Sequence, residues 1–493
     1  MDENSHESSD YWSSAPSSSN GNGTIQDAPR RSRQVKSRLP DPTLPLLRHN
    51  VRDEDWSDWH WQMRHRIRSL EELRRYLPVL DGKCRLEQVV KNYALAVTPY
   101  YLSLIRDGDP RDPVFQQAVP SAQELDDIPD LEEDPLHEEK DMPVPGLTHR
   151  YPDRALIVMS EICPMYCRHC TRKRFVGIDE SALPPERLQR YVEYFKAHPE
   201  VKDVIISGGD PFSLSTIPLE RVLAALRTVP TIEVIRFGTR IPVVMPMRIT
   251  AELCSMLEKY HPIWINTHFN HPNEITPEAA AACDRLVRSG VPVNNQSVLL
   301  KGVNDQPETQ LDLCRALFRI RVRPYYLYQC DLTQGVEHFR TPISRGIEIM
   351  EYLRGRLGGL AIPQYIVDAP SGGGKIPVGP NYILSMSPTH TVLRNFEGTI
   401  VAYPEPGRRG ERQPFGGRRR GGVAGLTRGE ENALVPSNSE RMIRRRKIEG
   451  AESPRFRAEK FCRKKEEAKG SREKAPAAPT PVEPTVPLGA LTD

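Results

Sequence analysis

Cysteine is scarce: nine in 493 residues. So few, and an odd number, exclude a disulfide-stapled scaffold and leave at least one thiol unpaired. Long apolar runs are missing too. No 18 consecutive apolar residues occur, which excludes a membrane-spanning helix. The amino-terminal MDENSHESSDYWSSAPSSSNGNG has no apolar core, so it does not read as a secretory signal, and a cytoplasmic location is expected. Neither sign of charge dominates, with 68 Lys and Arg against 65 Asp and Glu. That balance excludes a uniformly basic nucleic-acid coat. Proline, in contrast, is plentiful at 46, nearly twice the ordinary share of about 5%.

Periodicity divides the chain into a centre and two tails. Residues 1–45 are Ser-, Asn- and Pro-rich without apolar repeat and read as a disordered head. Residues 46–150 read as a helical extension and a wrapping segment. Trp56, Trp59, Met63, Ile67, Leu70, Leu73 and Leu77 recur at spacings of three and four, which predicts an amphipathic helix broken near Ser69. The acidic, Pro-punctuated DDIPDLEEDPLHEEKDMPVPG follows. In residues 151–404, apolar runs (ALIVMS, VIISG, EVIRFGT, IWINTHF, VPVNNQSVLL, VRPYYLYQC and AIPQYIVD) alternate with helical patterns such as PPERLQRYVEYFKAH and TPEAAAACDRLVRSG. Repeated β-then-α units predict an α/β class with parallel strands, either a barrel or an open sheet. Ser207, Gly208, Gly209, Asp210, His268, Gln296, Asp331 and Asp368 fall at or just beyond strand ends, where a barrel builds its active face.

Residues 405–493 lose the pattern. Positions 441–470 hold 12 Lys and Arg against 5 Asp and Glu. This segment reads as a mostly disordered, basic tail with room for a short basic helix. RNA binding is its functional alternative; a solvated tail is the simpler reading. A chain ending near residue 415 is expected to keep its fold and turnover.

Three of the nine cysteines, Cys163, Cys167 and Cys170, lie within eight residues in the spacing C-x3-C-x2-C. Three thiolates hold three irons of a [4Fe–4S] cube and leave the fourth iron to a non-protein ligand. A tetrahedral zinc site wants a fourth protein ligand, and His169, lying between two of the cysteines, would strain it. Further on, Asp368-Ala-Pro-Ser-Gly-Gly-Gly-Lys375-Ile contains GGGK but not a phosphate loop, because the spacing fails and Ile376 replaces the hydroxyl. A lysine on a glycine-rich loop at a barrel mouth suits a Schiff base with pyridoxal 5'-phosphate.

The triplet resembles the signature of the radical S-adenosylmethionine superfamily, and SGGDP at 207–211 resembles its motif for the methionyl amino group. Taken in order, MYCRHCTRKRF, SGGDP, HFNHPNE, RPYYLYQCD, EHFRTP and DAPSGGGKIPV resemble the lysine 2,3-aminomutase family over about residues 50–404. The resemblance implies a partial (β/α)6-type radical SAM barrel that uses a [4Fe–4S] cluster, S-adenosylmethionine and pyridoxal phosphate. It places Lys375 as the pyridoxal lysine, Arg150, Arg154 and Asn294 near the cofactor phosphate, and Tyr151 beside its ring. Ser207, Gly208, Gly209, Asp210, His268 and Gln296 fall at the S-adenosylmethionine end. Arg172 matches the arginine for the substrate carboxylate, a role its planar fork suits, and Asp331 and Asp368 match the paired acids for the distal amine.

The implied reaction is 2,3-migration of the α-amino group of L-lysine, carried as a pyridoxal aldimine, to give β-lysine. Two converging acids want a cation between them, which disfavours glutamate. A guanidinium fits as well, so arginine 2,3-aminomutase is the alternative, and an RNA-modifying radical enzyme stands further off. The implied partners are a flavodoxin- or ferredoxin-type electron donor and a second copy of the chain, as a dimer or higher oligomer. The pattern breaks at Gln306, where clostridial-type relatives carry a cysteine for an intersubunit zinc. Their cysteine cluster beyond NFEG is absent as well, so no structural zinc is expected.

Overall fold

Each expected apolar run forms a strand in the computed structural model, which describes residues 45–83, 85–178, 183–386, 390–406 and 443–447. The expected disordered head, up to residue 44, and most of the tail lie outside the described residues. The strands are β1 Leu147–Tyr151, β2 Arg154–Ser160, β3 Asp203–Gly208, β4 Val234–Gly238, β5 Ile263–Thr267, β6 Val293–Leu299, β7 Arg323–Gln329, β8 Gln364–Ala369 and β9 Gly374–Pro377. They lie in one sheet in chain order. The ladder from β2 to β8 is parallel, while β1 and β9 run antiparallel at its two edges.

Helices Pro185–Ala197, Thr216–Leu226, Ala251–Glu258, Pro277–Arg288, Pro307–Arg319 and Ile343–Leu353 form the crossovers. Six β/α units and a closing strand make the partial radical SAM-type barrel. β1 and β9 carry no long apolar run, and neither does the separate three-stranded sheet Ile383–Met386, His390–Arg394, Ile400–Pro404.

Alternation along the strands separates core from site. Val204, Ile206, Ile235, Phe237, Ile263, Ile265, Val293 and Leu327 are buried. Truncating one of them to alanine costs about 2–5 kcal/mol. The alternate positions carry Ser207, Arg236, Asn266, Asn294, Gln296, Tyr326 and Tyr328. A face that polar is unsuited to packing under helices and lines the interior instead.

The expected amino-terminal helix is three short ones, Asp53–Ser57, Trp59–Arg64 and Leu70–Tyr76. The break at Ser69 occurs as expected, and Ser69 forms a capping box with Glu72. A second break comes at Asp58, whose carboxylate accepts from the amides of His60 and Trp61 and starts a new helix. In the tail, residues 443–447 form one helical turn that contacts the barrel, although the composition there announced no packing.

Candidate active site

The cysteine loop leaves the carboxyl end of β2. Cys163, Cys167 and Cys170 are all partly exposed, whereas Cys254, Cys283, Cys314 and Cys330 are buried; none of these seven is in a disulfide. The loop is clamped from the amino-terminal extension. Arg66 donates to the carbonyl of Cys163 at 2.6 Å. Glu124 is buried and takes both Arg168, at 2.6 Å, and Lys173, at 2.9 Å. Burial alone would raise the Glu124 carboxyl, but those two cations outweigh it and hold it low. The basic string RHCTRKR is therefore not a solvated face; its charges are consumed by acids of the preceding segment.

Donors also reach the thiols themselves. Arg240 Nη1 lies 2.8 Å from Cys167 Sγ, and the Arg172 amide is 3.3 Å from Cys170 Sγ. Burial pushes the Cys163 and Cys170 thiols up, so a metal must displace their protons to bind. Three cysteines on one loop, with cationic and amide donors at two of the sulfurs, fit an iron–sulfur cluster by their chemistry. Among the described residues, no group of three or more His, Cys, Asp or Glu side chains gathers so as to hold a metal ion. His169 turns inward: it is buried, lies 3.3 Å from Asn270 Nδ2 and packs on Phe339.

The two glycines of SGGDP bring β3 against this loop. Gly208 has φ +128, and a Cβ there would collide with the Ser160 carbonyl; a Cβ on Gly209 would collide with the Glu161–Ile162 backbone. The Gly209 amide donates to Ser160 O at 2.6 Å, and the Asp210 amide to Ile162 O at 2.8 Å. Asp210 itself faces inward. Its carboxylate accepts from Thr239 Oγ1 and the Arg240 amide, both at 2.6 Å, and burial pushes its pKa up to about 6. It braces the strand ends rather than presenting an open carboxylate. His268 Nδ1 donates to the Gln296 carbonyl oxygen, 2.8 Å away. Burial holds its pKa down at about 4, so the ring is neutral at pH 7. Asn294 reaches Asn266 Oδ1 at 3.3 Å on the same interior face.

The lysine loop meets the opposite sheet edge. The Lys375 amide on β9 donates to the Tyr151 hydroxyl on β1 at 3.0 Å. Lys375 Nζ sits 2.9 and 2.8 Å from the two oxygens of Asp368 and 4.8 Å from the Tyr328 ring centre. Gly374, at φ +91, allows the turn that delivers the lysine. Arg154 stacks over the Tyr151 ring at 3.8 Å and pairs with Asp153. Arg150 pairs with Asp141 at 2.8 Å. A lysine amine, a tyrosine ring and two arginines on one seam fit an aldehyde cofactor that carries a phosphate.

Between the cysteine loop and β3, Arg172 Nη1 donates to Ser207 Oγ at 3.0 Å, while Nε and Nη2 grip Glu138 at 3.2 and 2.7 Å. Asp331 follows β7 and Asp368 lies in β8. Desolvation first, and the Asp368 charge second, push the Asp331 pKa up to about 7. Among the described residues no arginine pairs with either acid; Arg340 turns to Glu337 instead. Three participants escaped the motifs. Glu138 and Asp141 belong to the acidic stretch that was readable only as a wrapping segment, although an excess of acids before a basic loop is a signal for pairing. Arg240 bridges Cys167, the His268 carbonyl at 3.1 Å and Glu274 at 2.7 Å, and no motif marks it.

Known proteins resemble the chain along most of its length. The radical SAM superfamily profile matches residues 157–314, and a profile described as lysine-2,3-aminomutase matches residues 350–466, well into the tail that the motifs left unassigned. The L-lysine 2,3-aminomutase of Clostridium subterminale is 52% identical over 403 residues, covering 80% of this chain and 96% of that protein. The enzyme of the same name from Acetoanaerobium sticklandii is 51% identical over 406 residues, covering 80% of this chain and 97% of that one. A glutamate 2,3-aminomutase of Clostridioides difficile is 42% identical, over 71% of this chain and 83% of its own length. This chain belongs to the lysine 2,3-aminomutase family within the radical SAM superfamily, isomerases that use S-adenosylmethionine and an iron–sulfur cluster.

Proposed function

We propose that the protein converts L-lysine to β-lysine by moving the α-amino group from C2 to C3, with pyridoxal phosphate as an additional cofactor. The observation that carries the substrate reading is the pair of acids, Asp331 and Asp368, close enough for the Asp368 charge to raise the Asp331 pKa. The chain's own Lys375 ammonium pairs with Asp368 at 2.8 Å; once Lys375 engages the aldehyde, a substrate ammonium suits the same acids. When bound, the cluster with S-adenosylmethionine would supply the radical chemistry at C3, and pyridoxal phosphate would supply the aldehyde that carries the migrating nitrogen.

The chain's own residues do the placing. Cys163, Cys167 and Cys170 hold the cluster. The ends of β3 and β5, with Gly208, Gly209 and His268, and Gln296 from the middle of β6 rather than the expected strand end, shape the S-adenosylmethionine end. Lys375 holds the aldehyde, Tyr151 fixes the lysine backbone, and Arg150, Arg154 and Asn294 serve the phosphate. Arg172, braced by Glu138, receives the α-carboxylate at the Nη1 end of its guanidinium, and Asp331 with Asp368 receives the ε-ammonium. With both ends of the amino acid fixed, the C3 hydrogen has one position relative to the radical source.

Two acids repel the side chain of glutamate by like charge. Arginine remains the second reading, because a guanidinium pairs bidentately with carboxylates. An electron donor of the flavodoxin or ferredoxin type, a homo-oligomeric state and the lack of a structural zinc belong to the same proposal. The test is anaerobic turnover of the reduced, reconstituted enzyme with L-lysine, L-arginine and L-glutamate in turn, with the β-amino acid identified by mass. β-Lysine is the expected product. A tenfold preference for arginine would reassign the substrate, and no β-product from either would overturn the reading.

A further inference from the structure

The helical turn 443–447 returns to the cofactor seam from the far end of the chain. Arg445 is buried at 8% exposure. Its Nε lies 2.6 Å from Asp141 Oδ1, and its Nη2 lies 3.3 Å from Asp141 Oδ2 and 3.3 Å from the carbonyl of Ser371. Asp141 is 1% exposed and also holds Arg150, whose Nε is 2.8 Å from Oδ2. Arg444 donates to the backbone carbonyl of Arg150 at 2.9 Å. Ser371 belongs to the loop between Asp368 and Lys375 and stands at φ 56, while its amide donates to Pro135 O at 2.9 Å. One short basic turn thus touches Arg150 on one side of the seam and the lysine loop on the other.

Sharing the carboxylate gives this contact a consequence. Asp141 takes Arg150 through one oxygen and Arg445 through both, so neither guanidinium has the anion to itself. Arg150 is also held at the Leu136 carbonyl and lies near the Glu138 carboxylate. An anion shared in this way binds Arg150 less tightly and leaves more of its charge for a phosphate. The backbone contacts to Arg150 and Ser371 also fix the distance between the phosphate arginine and the loop that carries Lys375.

We propose that residues 443–447 act as a strap that tunes the pyridoxal phosphate site, with Arg445 as a positioning residue acting through Asp141 on Arg150. This rests on the pyridoxal reading of Lys375. It also reverses the expectation that a chain ending near residue 415 keeps its turnover, because the strap lies beyond that point.

The test is equilibrium dialysis of pyridoxal phosphate against the full-length, cluster-loaded protein. It compares the unaltered chain with Arg445→Ala, Arg445→Lys, Asp141→Asn and the double variant Asp141→Asn/Arg445→Ala. Arg445→Ala is expected to raise the dissociation constant about tenfold, while iron content and S-adenosylmethionine affinity stay unchanged. Arg445→Lys, which restores the charge, should recover most of the affinity. The double variant should bind no more weakly than Asp141→Asn alone, since Arg445 acts through that carboxylate. Unchanged affinity in Arg445→Ala, or additive losses in the double variant, would overturn the strap. So would a joint loss of iron and S-adenosylmethionine binding in both Arg445 variants, which would make the turn a general brace. If the unaltered chain bound no pyridoxal phosphate, both this inference and the reading beneath it would fall.

Discussion

Glu138 holds Arg172 by the Nε–Nη2 edge of its guanidinium, with Nη2 2.7 Å and Nε 3.2 Å from its oxygens, and leaves the Nη1 end turned toward Ser207. Arg174 reaches the same acid at 3.4 Å. Although burial pushes the Glu138 carboxyl up, Arg172 and its neighbours hold it far below the usual carboxylate range. Glu138 aims Arg172 and keeps two neighbouring guanidiniums from repelling each other beside Cys170. Glu138→Gln should therefore destabilise the fold by about 3–5 kcal/mol, the cost of breaking a mostly buried pair, and raise the KM for lysine. Chemical denaturation and steady-state kinetics check this, and a variant with wild-type stability and KM would show that Glu138 is a bystander.

Cluster loading should depend on the three partly exposed cysteines of the loop and not on the buried ones. Cys167→Ala is expected to abolish iron binding and turnover, whereas Cys314→Ala, buried against the last crossover helices, should retain about the full iron complement. Iron and sulfide analysis after anaerobic purification decides it; a fully active Cys167→Ala enzyme would end the radical assignment.

Lys375→Ala should lose the visible absorbance of bound pyridoxal phosphate while iron stays near normal, because the lysine and the cysteine triplet belong to different strand ends. Borohydride reduction followed by peptide mapping gives the check. Label on a lysine other than Lys375 would relocate the cofactor.

Asp331 gives the reaction a pH signature. Its pKa is about 7, raised by desolvation and by Asp368. Below that pH the acid is neutral and cannot pair with an ammonium; above it the acid is ionised and can. In the free-enzyme profile, kcat/KM for lysine should therefore rise as pH increases through about 7. Asp331→Asn should flatten that limb while lowering the plateau. A limb that persists unchanged in the variant would assign the titration elsewhere.

Periodicity was enough to read the seven parallel strands, because Val, Ile and Leu alternate with polar interior residues over β2 to β8. The triplet and Lys375 were legible because cluster ligation and Schiff-base chemistry each require particular residue types at particular places. The edge strands were not legible: β1, LTHRY, has a single aliphatic residue, and β9 spans four residues including Gly374 and Pro377, so neither carries an apolar pattern. Nor were the partners of the basic loop. Glu124, Glu138 and Asp141 lie far from Arg168, Arg172 and Arg445 in sequence, and long-range charge pairing leaves no local spacing to detect. Arg445 is the sharpest case, since a run of arginines ordinarily marks solvent and here one of them is buried.

The distal pocket tests the substrate assignment most directly. Asp368 pairs with the chain's own Lys375 at 2.8 Å, and Asp331 lies close enough for its titration to feel the Asp368 charge. Removing either negative charge leaves the substrate ammonium with one partner in a site poor in water. Breaking such a buried contact costs about 3–5 kcal/mol, which is about 10²–10³-fold or more in kcat/KM. Asp331→Asn and Asp368→Asn should each lower lysine turnover on that scale, and both should keep iron content and S-adenosylmethionine binding, since neither acid touches the cysteine loop. Asparagine matches aspartate in size, so a general loss of packing is not expected. Alanine, which has no distal charge, should stay a poor substrate in all three enzymes. If both variants turned lysine over at near wild-type kcat/KM, the two acids would have no part in holding the substrate, and the choice of a cationic amino acid would lose its physical basis.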